Sequence, residues 1–493
     1  MSLQLTKSDY VLGVQCLKML WLKNFREDEY DEAVTNQSIL DVGREVGNLA
    51  KGLFGAYSEI SVGDIESMIE ETNEKISNNI EIIAEATFDY NGLLCRVDIL
   101  RNLGNMKLEI YEVKSSTEIK DIYYDDASYQ YYVPTQLGYE VSKVHIVHIN
   151  NEYVRFGDLD LKQLFKLVDV TADVLNLVPV VERKLADISS YLEMANEPHN
   201  DIGDYCFDPY DCGFFGYCTS HIPKPNVFNV AGLRLSNKLV LYDQGIISFA
   251  ELYASNQLKD KQHRQVEHEI YDLATYINRQ EIRAFLNQLS YPIYFLDFES
   301  IQPAIPLYDG SSPYQQIPFQ YSLHYIEEEG GELRHEEYLA YPEEDPRIGL
   351  VQKLCEDIPR DVCVLAYNMG FEKGVIQKLA QIYPQYESHL MNMHDNMQDL
   401  MVPFQRHYYY TKAMKGSYSI KYVLPALFPD DPQLDYSNLE GVHNGMEASN
   451  TFLHLVNMDE KKQNQQRKYL LEYCKLDTYA MVKIWEKLKE AVG

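Results

Sequence analysis

The chain has 493 residues, of which 45% are hydrophobic, and a formal net charge of -31 at pH 7. This length allows two or three domains with substantial cores, and no apolar run approaches the ~20 residues of a membrane-spanning helix. We therefore expect no membrane partner and, because residues 1–10 lack the basic and apolar segments of a signal peptide, a cytoplasmic location. The acidic balance argues against strong nonspecific binding to duplex nucleic acid, which depends on lysine and arginine.

Two helical segments are predicted near the N-terminus. The first has capping residues ahead of an apolar periodic run, so we expect a helix that begins near Ser8 and extends to Leu22, with Cys16 inside it. The second covers residues 39–54 and carries Glu45. Both segments precede the first group of residues with candidate chemistry.

A β-hairpin follows, with one predicted strand at residues 92–100 and a second at 107–115. Antiparallel pairing would bring Asp98 close to Glu112, and the alternation of a strand places Glu112 and Lys114 on the same face. One interpretation is an exposed cross-strand ion pair. The other is a catalytic group of two acids and a lysine.

The second interpretation is supported by a resemblance. Asp98 and the Glu112-x-Lys114 motif resemble the PD-(D/E)XK nucleases, and Gln130, on the next predicted helix, resembles the glutamine of their RecB-type branch. The resemblance implies that Asp98 and Glu112 hold a metal and that Lys114 stabilises the attacking water or the charge on phosphorus. That branch usually has a histidine ligand in an early helix, where this chain offers only Glu45.

Three cysteines, Cys206, Cys212 and Cys218, fall within thirteen residues of sequence. A disulfide framework is not expected in a cytosolic protein, and zinc ligands commonly have closer spacing. With Cys16 as a distant fourth ligand, the set resembles the iron-sulfur nucleases of the RecB type, which implies a structural 4Fe-4S cluster. Zinc and free thiols remain alternatives, and the other four cysteines, Cys474 among them, are expected to be core thiols.

Two prolines after Ile222 mark a boundary, and the polar helical stretch that follows is predicted to be a connector. The next strand is a continuous hydrophobic run, Ile293 to Leu296, which is typical of a strand buried on both faces. Asp297 and Glu299 close this strand and share one side of it. A divalent cation between two such acids would relieve their repulsion.

Two later segments carry matching acids. Glu372 is expected in the first turn of a helix that follows a short strand at residues 362–367. Tyr473 and Asp477 are four residues apart in a predicted helix, so they share one face. Lys421, which precedes this helix, is a candidate phosphate contact.

Together these motifs resemble the DEDD exonucleases of the ribonuclease-H-like fold, in the branch with tyrosine in the third motif. The resemblance implies that Asp297, Glu299, Glu372 and Asp477 bind two Mg²⁺ or Mn²⁺ ions, and that Tyr473 orients the attacking water. One departure is Glu372, because most of the family has aspartate there.

The predicted fold class is α/β, with a PD-(D/E)XK restriction-endonuclease-like domain (1–225), a helical connector (226–289) and a ribonuclease-H-like DEDD domain (290–493). This arrangement resembles a family of uncharacterised bacterial proteins with predicted nuclease activity. The expected function is a metal-dependent nuclease that acts on single-stranded or end-containing DNA in defence or repair, with a protein partner as a further possibility. The alternative is a catalytically degenerate module that binds nucleic acid or protein.

Overall fold

The computed structural model describes residues 4–34 and 36–493. The chain divides into two compact units, each built from helices and a β-sheet, which agrees with the predicted α/β class. The first unit runs to His221 and also includes Pro303–Gln315, and the second comprises Ile222–Gln302 and Gln316–Gly493. None of the helices in the described residues has the length and apolar character needed to cross a membrane.

The first unit contains one sheet with helices around it. Its strands are β1 (Leu5–Thr6), β2 (Ser58–Glu59), β3 (Ile82–Tyr90), β4 (Leu93–Asn102), β5 (Lys107–Lys114), β6 (Glu140–Ile149) and β7 (Phe165–Asp169). Its helices are α1 (Lys7–Gln15), α2 (Leu17–Phe25), α3 (Gln37–Ala50), α4 (Ile65–Ser77), α5 (Asp121–Gln136), α6 (Leu161–Leu164), α7 (Thr171–Leu192) and α8 (Phe215–Cys218). The strand order is β2-β3-β4-β5-β6-β7, and β1 pairs with β4.

The predicted hairpin is confirmed as β4 and β5, which pair antiparallel with Ile99 opposite Tyr111. Strand β5 then pairs in parallel with β6. The main core contains Val97 of β4, Ile110 of β5 and Tyr129 of α5, all of them buried. This packing fixes the ends of β4, β5 and α5, which carry the candidate residues of this unit.

The predicted N-terminal helix is two helices, and the first begins at Lys7, next to the predicted start near Ser8. Thr6 caps α1: its hydroxyl accepts the backbone N–H of Asp9 at 3.2 Å, and the Asp9 carboxylate accepts the backbone N–H of Thr6 at 3.0 Å. Cys16 then leaves the helical conformation, with φ -158° and ψ 114°, and α2 begins at Leu17.

Residues 303–315 pack within the first unit, although the strands that flank them belong to the second. Ala304 and Ile305 are 1% and 8% exposed in a core that also contains Tyr111. The backbone N–H of Arg155 donates to the carbonyl of Ser311 at 3.0 Å. The chain therefore leaves the second unit and returns to it within thirteen residues.

The second unit contains a five-stranded main sheet and a separate two-stranded sheet. The strands of this unit are β8 (Tyr276–Ile277), β9 (Ile293–Ile301), β10 (Ile317–Ile326), β11 (Arg334–Leu339), β12 (Cys363–Ala366), β13 (Met397–Asp399) and β14 (Tyr409–Tyr410). Strands β8 and β14 form the two-stranded sheet. Its helices are α9 (Leu235–Asp243), α10 (Phe249–Ser255), α11 (Asp260–Tyr271), α12 (Arg279–Leu286), α13 (Pro346–Asp357), α14 (Gly370–Ile382), α15 (Glu387–Asp395), α16 (Val402–Gln405), α17 (Ile420–Leu427), α18 (Gly445–His454) and α19 (Glu460–Val492). The predicted connector, residues 226–289, lies within this unit.

Strand β9 lies at the centre of the main sheet, whose order is β11-β10-β9-β12-β13. It pairs antiparallel with β10 and parallel with β12. Its two faces enter different cores: Phe295 packs with Leu476 and Ile484 of α19, whereas Leu296 packs with Ile376 of α14. The prediction of a strand buried on both faces is confirmed, and the helices that flank it carry the other motifs.

Candidate metal centre

The first two acids lie on the face of β9 toward α19. Asp297 and Glu299 alternate with Phe298 and so share this face with Phe295. One oxygen of Asp297, one oxygen of Glu299 and the sulfur of Cys474 lie within 4.8 Å of one another. The Cys474 sulfur is 3.9 Å from Asp297 Oδ2. Cys474 is buried, as predicted for a core thiol, and it lies beside the acids.

Glu372 contributes a carboxylate from α14. As predicted, it lies in the first turn of the helix, where the helix dipole favours an anion. The residue is 2% exposed, and its Oε2 has no hydrogen-bond partner among the described residues. Burial raises the pKa of Glu372 to about 8; the charge of Asp399 adds to this shift, and the backbone N–H of Glu372 itself opposes it.

Asp477 and Tyr473 lie one turn apart on α19. The Tyr436 hydroxyl donates to Asp477 Oδ1 at 2.5 Å, whereas Asp477 Oδ2 lacks a partner in the described part of the chain. Burial raises the pKa of Asp477 to about 7, although hydrogen bonds from Tyr436 and Tyr473 and the charge of Lys421 oppose the shift. The Asp477 carboxylate is therefore held by a hydrogen bond at Oδ1, and its Oδ2 is available to bind a cation.

The four carboxylates influence one another. Burial and the charges of Asp477, Glu299 and Glu372 raise the pKa of Asp297 well above its usual range. Burial and the charges of Asp477 and Glu372 do the same for Glu299. Among the described residues, the ligand atoms that lie within 4.8 Å of one another are those of Asp297, Glu299 and Cys474. Glu372 and Asp477 lie outside this close group and act on it through their charges. Clustered carboxylate oxygens, two of them without partners, suit a hard divalent cation such as Mg²⁺ or Mn²⁺.

A cavity of about 610 Å³ adjoins this group of acids, and Lys421, Tyr436, Tyr473 and Asp477 are among the residues that line it. A volume in the range of roughly 300–1,000 Å³ is typical of a small-ligand site. Lys421 was predicted from the sequence, whereas Tyr436 was not. Tyr436 begins a single 3-10 turn, Tyr436–Asn438, which has no periodic pattern in the sequence, so only the fold could reveal its contact with Asp477.

Three residues predicted for the N-terminal site, Glu112, Lys114 and Gln130, form one hydrogen-bonded group together with Lys7. Glu112 Oε1 accepts hydrogen bonds from Lys7 Nζ and Lys114 Nζ, both at 2.7 Å, and Glu112 Oε2 accepts one from Gln130 Nε2 at 2.6 Å. Asp126 of α5 also pairs with Lys114, and its Oδ1 is 3.6 Å from Lys7 Nζ. The chain itself therefore satisfies both oxygens of Glu112.

The fourth predicted residue is turned toward the backbone. Asp98 Oδ2 accepts the backbone N–H of Val113 at 2.8 Å across the hairpin. Glu45, the alternative ligand in the early helix, is exposed on α3.

Sequence analysis missed two members of this group, Lys7 and Asp126. Asp126 precedes Gln130 by one helical turn, so the spacing could have identified it. Lys7 is 105 residues from Glu112, and no local pattern joins them.

Replacing Lys7 with methionine is expected to lower the free energy of unfolding by about 3 kcal/mol, because Glu112 would keep its buried charge without this partner. Added Mn²⁺ should restore part of the loss. Urea unfolding with and without Mn²⁺ measures both effects. Lys107→Met, which removes a lysine from an exposed ion pair with Glu140, is the matched control; equal losses in the two variants would contradict the prediction.

The four cysteines predicted as ligands line one small cavity. The Asn200 side-chain amide donates to the Cys16 sulfur at 3.3 Å, and the backbone N–H of Cys212 donates to the Cys206 carbonyl at 2.9 Å. Within the described residues, no three of these sulfurs, including that of Cys218, lie within 4.8 Å of one another. Tetrahedral zinc, with Zn–S bonds of ~2.3 Å, would bring all four to about 3.8 Å. What the structure places together, among the described residues, is therefore four cysteines around one cavity, without the close contacts of a formed zinc site.

Comparison with known proteins identifies relatives without an assigned function. A family model described as a domain of unknown function (DUF2779) matches residues 294–419, the segment that contains Asp297, Glu299 and Glu372. The chain is 26% identical over 269 residues to "Uncharacterized protein UU173" of Ureaplasma parvum serovar 3. The alignment covers 50% of this chain and 35% of that relative, so the chain spans about a third of the relative's length. No solved structure matches the chain.

Proposed function

We propose that the protein is a metal-dependent nuclease in which Asp297, Glu299, Glu372 and Asp477 bind two Mg²⁺ or Mn²⁺ ions. The proposal depends on one observation: four carboxylates with raised pKa values converge, and two of their oxygens have no partner among the described residues. Such a group is unfavourable unless a cation joins it. The strand order, with β10 antiparallel and β12 parallel to β9, supports a ribonuclease-H-like DEDD fold.

The side chains around the acids suit phosphodiester hydrolysis. When bound, the two ions would stabilise the attacking and leaving oxygens of the phosphodiester. Burial raises the pKa of Tyr473, so its hydroxyl stays protonated and can orient a water molecule by hydrogen bonding. Tyr436 fixes the Asp477 carboxylate through a 2.5 Å hydrogen bond. Lys421, in the wall of the adjoining cavity, offers a positive charge to the phosphate.

The proposed substrate is single-stranded or end-containing DNA, with a role in defence or repair. A cavity of about 610 Å³ beside the acids has room for one nucleotide at a strand end. The net charge of -31 disfavours long duplex contacts, which would place many phosphates against an acidic protein.

Single-stranded DNA of 20 nucleotides, labelled at its 5′ end, tests the proposal. In Mn²⁺ or Mg²⁺ we expect stepwise shortening, and in EDTA an intact strand. An intact strand in Mn²⁺, with Mn²⁺ binding shown by calorimetry, would instead support the degenerate binding module.

That second candidate function is favoured for the first unit by one specific observation. Lys7, Lys114 and Gln130 occupy both oxygens of Glu112, the acid that would otherwise be a metal ligand. We propose that this PD-(D/E)XK-like unit binds nucleic acid or a protein partner and that hydrolysis belongs to the second unit. Retention of DNA cleavage in Glu112→Gln and its loss in Asp297→Asn would separate the two roles.

We further propose that Cys16, Cys206, Cys212 and Cys218 bind a structural 4Fe-4S cluster. Cys16 precedes the three clustered cysteines by 190 positions or more, so a cluster would join distant parts of the first unit and restrict the unfolded chain. Burial raises the pKa of Cys206 to about 11, and bound iron would stabilise its thiolate.

Replacing Cys206 with serine is expected to remove bound iron and sulfide, and to lower the melting temperature by about 10 °C, as expected when a long-range cross-link is lost. Iron analysis, visible absorption and thermal unfolding of anaerobically purified protein measure these changes. Cys355→Ser, at a half-buried cysteine of the second unit, is the control. Equal iron contents in both variants would exclude the cluster.

A further inference from the structure

Four exposed cations of the second unit lie near helix α11 and the candidate metal centre. These are Lys261, Arg406, Lys415 and Lys421, and within the described residues none of them lies within 4.0 Å of a carboxylate. Other exposed cations of this unit, such as Lys378 and Lys475, also lack such a partner, so it is the position of these four that distinguishes them. A group of cations beside a candidate site is a candidate anion-binding surface.

Helix α11 carries Lys261 and places it next to Arg406, which follows α16. One face of the helix packs on the segment 405–415: Arg264 Nη1 donates to the His407 carbonyl at 3.0 Å, and Gln265 Nε2 donates to the Lys415 carbonyl at 2.9 Å. Lys261 lies one turn earlier on this face, next to Arg406. Burial and the charge of Arg406 lower the pKa of Lys261. An anion between the two would relieve their repulsion.

The cations continue toward the candidate metal centre. Lys415 is six residues before Lys421, and the intervening chain is held by the Tyr367 hydroxyl, which donates to the Tyr418 carbonyl at 2.7 Å. Lys421 lines the cavity together with Tyr473 and Asp477. The segment that carries Lys415 and Lys421 therefore leads from α11 to the cavity beside the acids.

Exposed aromatic rings accompany this path. Tyr276 is 36% exposed, with the Arg264 guanidinium 3.8 Å from its ring centre. Tyr418 and Tyr422 are 40% and 45% exposed on either side of Lys421. Proteins that bind single strands combine a positive track for the backbone with aromatic rings on which bases stack.

From these contacts we propose that Lys261, Arg406, Lys415 and Lys421 form a cationic strip that binds the phosphates of a single DNA strand and leads its end to the acids. This proposal rests on the proposed nuclease function and identifies the route of the substrate. The strip would neutralise only a few phosphates, which suits a short single-stranded segment better than a duplex.

The test compares two double variants with the same change in charge. Lys261→Glu/Arg406→Glu alters the strip, and Lys461→Glu/Lys468→Glu alters exposed positions on α19. Both are made in an Asp297→Asn background, and binding of fluorescent 20-nucleotide oligothymidylate is measured by anisotropy in EDTA. We expect the strip variant to bind at least about tenfold more weakly, and the slope of log Kd against log salt to fall by about 0.7 per lost phosphate contact.

The control should keep the affinity and salt slope of its parent. The neutral pair Lys261→Gln/Arg406→Gln should give a smaller loss in the same direction. Equal weakening in the strip and α19 variants, or no weakening in either, would overturn the proposal. The binding assay needs no hydrolysis, so its outcome is independent of the cleavage assay. A negative binding result would overturn the strip without contradicting the nuclease proposal, and an absence of cleavage would contradict the nuclease proposal without contradicting the strip.

Discussion

Replacing Asp297 with asparagine is expected to reduce DNA cleavage by about a thousandfold while the protein remains folded. Asp297 shares a strand face with Glu299 and interacts with the charges of Asp477 and Glu372, so its loss removes a ligand from the centre of the group. Metal ions contribute several kcal/mol to the transition state of such reactions, and each 1.36 kcal/mol is a factor of ten in rate.

The measurement is the initial rate of single-strand cleavage in Mn²⁺, together with Mn²⁺ binding by calorimetry. Asp395→Asn, at an acid whose side chain is 73% exposed on α15, makes the same chemical change away from the site. We expect that variant to retain full activity. Unchanged cleavage in Asp297→Asn would exclude the proposed active site.

The metal-free protein is expected to lose stability as the pH rises from 5 to 8. The pKa values of Asp477 and Glu372 in the folded protein are about 7 and 8, whereas those of unfolded acids are near 4. Between these values the folded state holds protons that the unfolded state has released, so a rise in pH favours unfolding. Above about pH 8 both states are ionised and the dependence ends.

Each unit of pKa difference corresponds to about 1.4 kcal/mol, so the total change amounts to several kcal/mol. Urea unfolding in EDTA at pH 5, 6.5 and 8 measures it. Saturating Mn²⁺ should reverse the trend, because ionised carboxylates bind the metal. The double variant Glu372→Gln/Asp477→Asn serves as the control, since it removes the two titrating groups and keeps the other acids. A slope as steep in this variant as in the unaltered protein would show that general charge repulsion is the cause.

The sequence revealed the parts of the candidate site that follow a local period. Asp297 and Glu299 follow a run of apolar residues that fits a buried strand, and Tyr473 and Asp477 have helical spacing. Each predicted element exists, and the acids converge because β9, α14 and α19 pack together.

Contacts between distant residues had no such signal. The approach of Lys7 to Glu112 and of Tyr436 to Asp477 depends on how whole elements pack. The break at Cys16 was missed because the apolar period continues through it. The path of residues 303–315 into the first unit likewise has no counterpart in hydrophobic patterning.

The excursion of residues 303–315 has a consequence for dissecting the protein. A fragment that begins at Ile222 would carry Ala304 and Ile305 with no core to receive them, and the complementary fragment would lack a piece of its own interior. The polypeptide passes between the units three times, so one protease cut near residue 222 breaks the covalent link to residues 1–221 but leaves Pro303–Gln315 of the second fragment packed in the first unit. Truncated proteins for separate crystallisation or assay would need a short linker from Gln302 to Gln316 in place of the native segment.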